Sequence, residues 1–356
     1  MKQLLQFTTG VLLLIALLVG LRYGLERSTV SETNQSVIIY NGGDYIDPDL
    51  LKEFEQETGY PVIYETFDSN EAMMVKLQQG GTAYDLVIPS EYTIEQMIEQ
   101  DMLVPIDYDQ IEGMEHLDPR FLDHSFDPGN KYSIPYFWGT LGIVYNTDMI
   151  PEGSIQHWDD LWREEFRNQV MVFDGAREVI GIGLQSMGES LNETDPAKLK
   201  AATDKLKQLV PNVSAFIADE IKMHLMNHEM PIGITFSGEA AMVMEDHEEL
   251  TYVVPPEGSN LWFDNMVIPK GGHNPQGAHA LISFLLRPDI AARNAEYIGY
   301  STPNHSAMAL MDPETINDKA FYPDDEMISH LEVYQNLGQD ALILYNDLFL
   351  DIKIVK

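Results

Sequence analysis

A chain of 356 residues with 57 acids against 21 bases carries a formal net charge of −36, which disfavours nucleic acid and anionic lipid surfaces and attracts cations. The absence of cysteine excludes disulfides, thiolate metal sites and cysteine nucleophiles. Hydrophobic content of 44% with 10% aromatics is that of a globular chain long enough to build two cores.

At the start, Lys2 precedes an apolar run from Val11 to Leu21 that Arg22 closes, the n-region and h-region of an export signal. No clear small-x-small pair follows before Glu26, and the apolar stretch from Leu4 is about 18 residues, near the minimum for spanning a bilayer. Residues 1–27 therefore read as a signal peptide or an uncleaved signal anchor, and 28–36 as a polar tether. Either reading puts the folded part outside the cytoplasm, in the periplasm or at the cell surface.

From Val37 onward, short β-branched runs alternate with helical stretches. Strands are expected at 37–40, 61–66 and 84–89, separated by helices at 49–58, 70–79 and 93–100. Asp47-Pro48 opens the first helix and Gly80-Gly81 closes the second. The same style continues with strands at 142–146, 169–173, 231–236 and 252–255. Helices are expected at 158–167, 177–191, 196–209, 217–227, 238–246, 277–286 and 288–297. No repeat of 20 to 50 residues is visible, so the pattern argues for two α/β lobes with parallel strands rather than a solenoid.

In open α/β sheets, ligands sit beyond the carboxyl ends of strands. Asp44 and Tyr45 follow the first strand, and Ser90 and Tyr92 follow the third. Asp174 and Glu178 follow 169–173, Phe236 ends another strand, and Tyr300 lies in the loop 298–304. In 261–266, read as a strand, Trp262 and Asp264 share one face. A carboxylate beside an indole suits a ligand that is cationic at one end and greasy along its length. Ser90 and Asp174 also have ordinary capping explanations. His224 and His228 have the spacing of a helical zinc pair, but lack the glutamate that a metalloprotease places after the first histidine, so no metal is expected. No nucleophile elbow, dinucleotide fingerprint or Walker lysine is present. An acid–base role for Asp174 with Glu178 has no reactive centre specified between them, and neither enzyme activity nor a cofactor is expected.

Several phrases occur together and in order: Tyr40 to Ile46, Tyr64 to Glu71, Tyr84 to Ser90, Ser133 to Gly139, Asp174 to Glu178, Leu261 to Met266 and Ile298 to Asn304. With these the chain closely resembles the spermidine/putrescine-binding proteins, the extracytoplasmic receptors of polyamine ABC importers, from about Val37 to Phe349. The resemblance implies an α/β, two-lobed, type II periplasmic-binding-protein-like fold with the ligand in the inter-lobe cleft. Its expected lobes are 37–141 with 264–292, and 142–263 with 293–356. It further implies a polyamine ligand and a membrane permease as partners, with the membrane itself engaged through the N-terminal segment if that is uncleaved.

Carried over by residue, Asp264 is the principal carboxylate for an ammonium, beside Trp262. Glu178 is a second acid from the other lobe, and Asp44 reads the far amine. Tyr45, Tyr92, Phe236 and Tyr300 are aromatic walls, and Ser90 and Gln335 are polar contacts. Two positions depart from the family: Gly42 stands where an indole is common, and Gly175 where an acid is usual, with Asp174 one place earlier as a substitute. The departures leave open another organic cation such as thiamine as ligand. A polyamine-sensing surface protein and a hydrolase remain the rival classes.

Overall fold

The computed structural model describes residues 36–43, 45–218 and 220–356. The expected signal or anchor, the tether up to residue 35, and Asp44 lie outside them. No helix among the described residues is long and apolar enough to cross a membrane.

Alternation along β1 (Val37–Gly42) sets the layering of the first lobe: Val37 and Ile39 enter one core, Ile38 and Tyr40 the other. A strand buried on both faces needs such an uninterrupted apolar run. β2 (Val62–Phe67) and β3 (Leu86–Val87) flank it in parallel, reached through the helices Pro48–Thr58 and Asn70–Gln79. Asp47 caps the first of these by accepting from the amide of Asp49, and Gly59 closes it at φ 75°, a left-handed turn that glycine makes without Cβ strain.

β4 (Ser133–Asn146) is a buried strand of 14 residues shared by both lobes. Only its last part, 142–146, reads as a strand in the sequence, because Pro135 interrupts the earlier run. The structure places a register shift between Pro135 and Phe137, an irregularity where the missing N–H costs no ladder bond.

In the second lobe, β5 (Val170–Phe173) pairs in parallel with β6 (Val213–Ile217) and β7 (Ile232–Phe236), while β7 and β8 (Leu250–Val253) run antiparallel to the end of β4. β6 occupies residues partly expected to be helical; the helix there is the shorter Glu220–Met226. The stretch 158–167 forms two 3-10 turns rather than one helix. β9 (Leu261–Val267) then returns to the first lobe, antiparallel to β3 and to Ser133–Thr140 of β4. The strand order is β2-β1-β3-β9-β4-β7-β5-β6, with β8 also on β4.

Each lobe thus has a sheet covered on both faces. Ala295 and Ile298 of the helix Pro288–Ile298, followed by Ala307 and Met311, pack into the core that holds Val37 and Ile39. The C-terminal helix Gln339–Val355 places Tyr345, Phe349 and Ile352 in the core of the second lobe.

Candidate functional site

β9 alternates as its sequence implies. Trp262 and Met266 face the core shared with Tyr45, while Leu261, Phe263 and Val267 face the opposite core. Asp264, on the Trp262 side, meets the loop after β3 through a bridge to Ser90. The Ser90 hydroxyl donates to Asp264 Oδ1 at 2.7 Å, and the Tyr45 hydroxyl donates to Oδ2 at 2.7 Å. Ser90 stands at the cap position of the helix Glu91–Glu99, but its side chain makes no cap bond; its hydroxyl serves Asp264 instead. Asn70, first residue of its helix, donates to Ser90 Oγ at 3.0 Å and to the Tyr92 hydroxyl at 3.2 Å, and accepts from the Ser90 amide at 3.1 Å. Tyr45 is fixed in turn because its carbonyl accepts from Asn41 at 3.1 Å and from the Tyr136 hydroxyl at 2.9 Å.

Burial pushes the Asp264 carboxyl above its usual range, and the Ser90 and Tyr45 hydroxyls partly offset that. Each oxygen of an ionised carboxylate has room for a second donor. Asp264 can therefore hold a cation without releasing either hydroxyl.

A run of edge-on rings leads away from this acid. Tyr45 lies 5.4 Å from Tyr300, Tyr300 5.2 Å from Trp262, Trp262 6.2 Å from Phe236, and Phe236 4.9 Å from Phe173. The run begins in the first lobe and ends in the second. Two glycines make its packing possible. A Cβ on Gly238 would fall 1.1 Å from Tyr300 Cε1, and one on Gly139 would fall 2.4 Å from Trp262 Cζ2. The buried Trp262 Nε1 finds no hydrogen-bond partner among the described residues.

The second lobe contributes Glu178 from the first turn of the helix Ala176–Gln185. Burial raises its carboxyl pKa; its own backbone amide and Arg177 oppose this, and Glu71 of the first lobe adds to it. A Cβ at Gly175 would lie 1.9 Å from Glu178 Oε2, so the carboxylate occupies the space that any side chain at 175 would need. Asp174, the expected substitute acid, pairs with Lys353 at 2.7 and 2.9 Å.

Around Tyr92, burial and then the carboxylates of Glu71, Glu178 and Glu91 keep the hydroxyl protonated. Glu91 is fully buried, with Oε2 accepting from the Phe263 amide at 3.0 Å and Oε1 without a partner among the described residues. Burial pushes its carboxyl up to about 8 against the pull of the backbone amides, with Asp264 adding to the rise. Gln335 is exposed, and its backbone is gripped from both sides: Asn192 accepts from its amide at 2.9 Å, and Arg177 donates to its carbonyl at 3.2 Å. The preceding Tyr334 is buried under the Arg177 guanidinium, 4.2 Å from its ring, and its hydroxyl has no partner among the described residues.

The structure therefore gathers Asp264, Trp262, Tyr45, Ser90, Tyr300 and Phe236 into one connected group, and brings Tyr92 and Glu178 within electrostatic reach of each other. Glu91, which follows the third strand with Ser90 and Tyr92, joins that site, as do Asn70, Tyr334 and Phe173, which were not singled out in the sequence. The pair His224 and His228 is not brought together: His224 engages Glu229, and His228 engages Glu249.

A strand shared by two α/β lobes defines a class, and the match is direct. Residues 49–323 match the bacterial extracellular solute-binding protein family, and the chain belongs to it. The architecture is that of the type II periplasmic solute-binding proteins.

More particularly, the chain is 41% identical over 335 residues to the spermidine/putrescine-binding periplasmic protein of Salmonella typhimurium, covering 94% of this chain and 96% of that one. It is 29% identical over 337 residues to the putrescine-binding periplasmic protein PotF of Escherichia coli, covering 89% and 91%. Among solved structures, the spermidine/putrescine ABC transporter substrate-binding protein PotD of Streptococcus pneumoniae aligns with a TM-score of 0.85 and 57% identity, covering 90% of this chain and 99% of that one.

Proposed function

We propose that this chain is the extracytoplasmic receptor of a polyamine ABC importer, binding spermidine, putrescine or both in the cleft between its lobes and presenting them to the membrane permease. The observation that carries this reading is Asp264, a half-buried carboxylate with a hydroxyl on each oxygen at the head of an aromatic corridor. The names of the relatives point to the same ligand class.

A polyamine offers only separated ammonium groups and methylene spacers. Its recognition therefore requires acids at matching separations, with apolar walls between them. In this reading Asp264 takes one ammonium, the Trp262, Tyr300 and Phe236 rings cover methylenes, and Glu178 takes a second nitrogen from the other lobe. Asp44 reads the far amine, and Tyr92 and Tyr334 line the slot near Glu178. Burial disfavours both carboxylates while they are unpaired. A cation relieves that cost most where both lobes enclose it, which gives the closed state the differential affinity that hinge closure requires.

Calorimetric titration of the chain from Ser36 onward tests the proposal, with spermidine, putrescine, spermine and thiamine injected separately. Micromolar or tighter binding of a polyamine, about −8 kcal/mol or better, is expected. Binding of thiamine alone would move the receptor to another cation, and silence with all four would refute it.

A further inference from the structure

At the end of the second lobe away from the cleft, two loops bring three metal-ligating groups together. His228 follows the helix Glu220–Met226, and His247 and Glu249 precede β8. Glu249 Oε1 lies 3.3 Å from His228 Nε2 and 3.0 Å from His247 Nδ1, and the three ligand atoms fall within 4.8 Å of one another. A tetrahedral zinc ion with bonds of about 2.0–2.1 Å to nitrogen and oxygen sets its ligand atoms roughly 3.3 Å apart. The edge from Glu249 to His228 has that length, and the edge to His247, at 3.0 Å against 3.3 Å, is 0.3 Å shorter.

The loops are held in place from the end of β4. The Asn146 amide donates to the Pro231 carbonyl at 2.9 Å, and the Thr147 amide and hydroxyl donate to the Glu249 carbonyl at 2.7 and 2.9 Å. His228 adopts φ 54°, a left-handed conformation that costs a residue with a Cβ and persists where the surroundings fix it. Its side chain is half exposed, while those of His247 and Glu249 are largely covered, so the site has a built floor and one open side.

We propose that His228, His247 and Glu249 form a binding site for a divalent metal of the zinc class, with the fourth position open to water. Imidazole nitrogen with one carboxylate suits zinc and its neighbours, whereas calcium and magnesium prefer all-oxygen shells. For both rings to offer a lone pair, their remaining N–H must sit on the far nitrogen. In His228 that is Nδ1, 3.1 Å from Asn146 Nδ2, so loading requires the Asn146 amide to turn its oxygen toward the ring, giving up the bond that this oxygen accepts from the Asp148 amide at 2.9 Å. β7 runs from Ile232 beside this cluster to Phe236 in the aromatic corridor, a separation of roughly 14 Å at strand rise. The metal therefore ties two loops of the second lobe without entering the cleft.

The test is calorimetric titration of the chelator-stripped full chain with Zn2+, together with thermal melting, on the native protein and on His228→Asn and Glu249→Gln. Asparagine tolerates the left-handed backbone at 228, and glutamine keeps the shape at 249. We expect one zinc per chain at micromolar affinity or tighter, a raised Tm on loading, and at least about tenfold weaker binding in each variant. Spermidine titration should be the same in all three proteins, which keeps this result independent of the cleft. Absence of one-to-one zinc binding, or zinc affinity unchanged in both variants, would overturn the assignment; the latter would place the ion on other acids of the chain.

Discussion

On the first-lobe face of the cleft, Asp264 has a hydroxyl on each oxygen, and those hydroxyls are themselves held by Asn70 and the Tyr45 loop. On the second-lobe face, Glu178 is steadied by its own helix amide and its neighbour Arg177, in space left vacant by Gly175, and the Tyr334 hydroxyl beside it has no partner among the described residues. One face is organised before ligand arrives, and the other has polar capacity still to be filled. For the proposed receptor this difference implies an order of events, in which a polyamine would dock on Asp264 first and the second lobe would complete its shell on closing. Preorganised contacts set affinity, and contacts made on closure couple binding to the hinge.

The largest effect should come from breaking the organised face. Asp264→Asn is expected to lose about 3–5 kcal/mol of spermidine binding, as for removal of one partner of a buried charge pair, read by calorimetry. The Tm of the unliganded protein should not fall, because burial already penalises that charge.

Next is Glu91, the buried acid beneath the same face. Its folded pKa of about 8 exceeds the ordinary carboxyl value of 4.5, so its contribution to stability is full below the ordinary value and is lost as pH rises through about 8. Glu91→Gln should keep an acceptor for the Phe263 amide and stabilise the protein at pH 8.5 by on the order of 2–4 kcal/mol relative to the native chain. Denaturant melts at pH 5 and pH 8.5 check this, and a gain that does not grow with pH would contradict it.

Smaller changes are expected from the face that closes. Glu178→Gln should weaken spermidine by about 10- to 100-fold, the range for losing a charged hydrogen bond, and should reduce ligand-induced compaction in solution scattering. Gly175→Ala displaces the Glu178 carboxylate without removing it, and a loss of several-fold is expected by calorimetry. Smallest is Gly42→Trp. A Cβ at Gly42 lies 3.5 Å from Tyr45 Cβ, so an indole there adds a wall beside the organised acid, and titration should show a few-fold gain. A loss would mean that the slot has been filled instead.

Much of the framework can be read from residue patterns. Alternation in β9 puts Trp262 and Asp264 on one face, and alternation in β1 puts its odd and even residues in opposite cores. Cap residues set the helix from Asn70 to Gln79 at both ends. What stays hidden depends on contacts distant in sequence. Pro135 disguises half of the strand that joins the lobes, since the shift that accommodates it exists only against β9. Asn70 reads as an ordinary first helical residue, and Glu91 as an acid favoured by the helix dipole, until β3 and β9 bring Ser90 and Phe263 against them. Tyr334 lies in an irregular segment with no periodicity to place it, and Arg177 fixes it from another element. His228 pairs with Glu249 because β7 and β8 both lie on β4, a topology that helical spacing cannot reveal.

In the proposed receptor, the ligand's charge sits on Asp264. A crystal structure of the chain grown with spermidine tests that directly. We expect an ammonium nitrogen within about 3 Å of Asp264, methylenes against Trp262 and Tyr300, and Glu178 on a second nitrogen. A ligand bound elsewhere, with Asp264 touching only Ser90 and Tyr45, would contradict it.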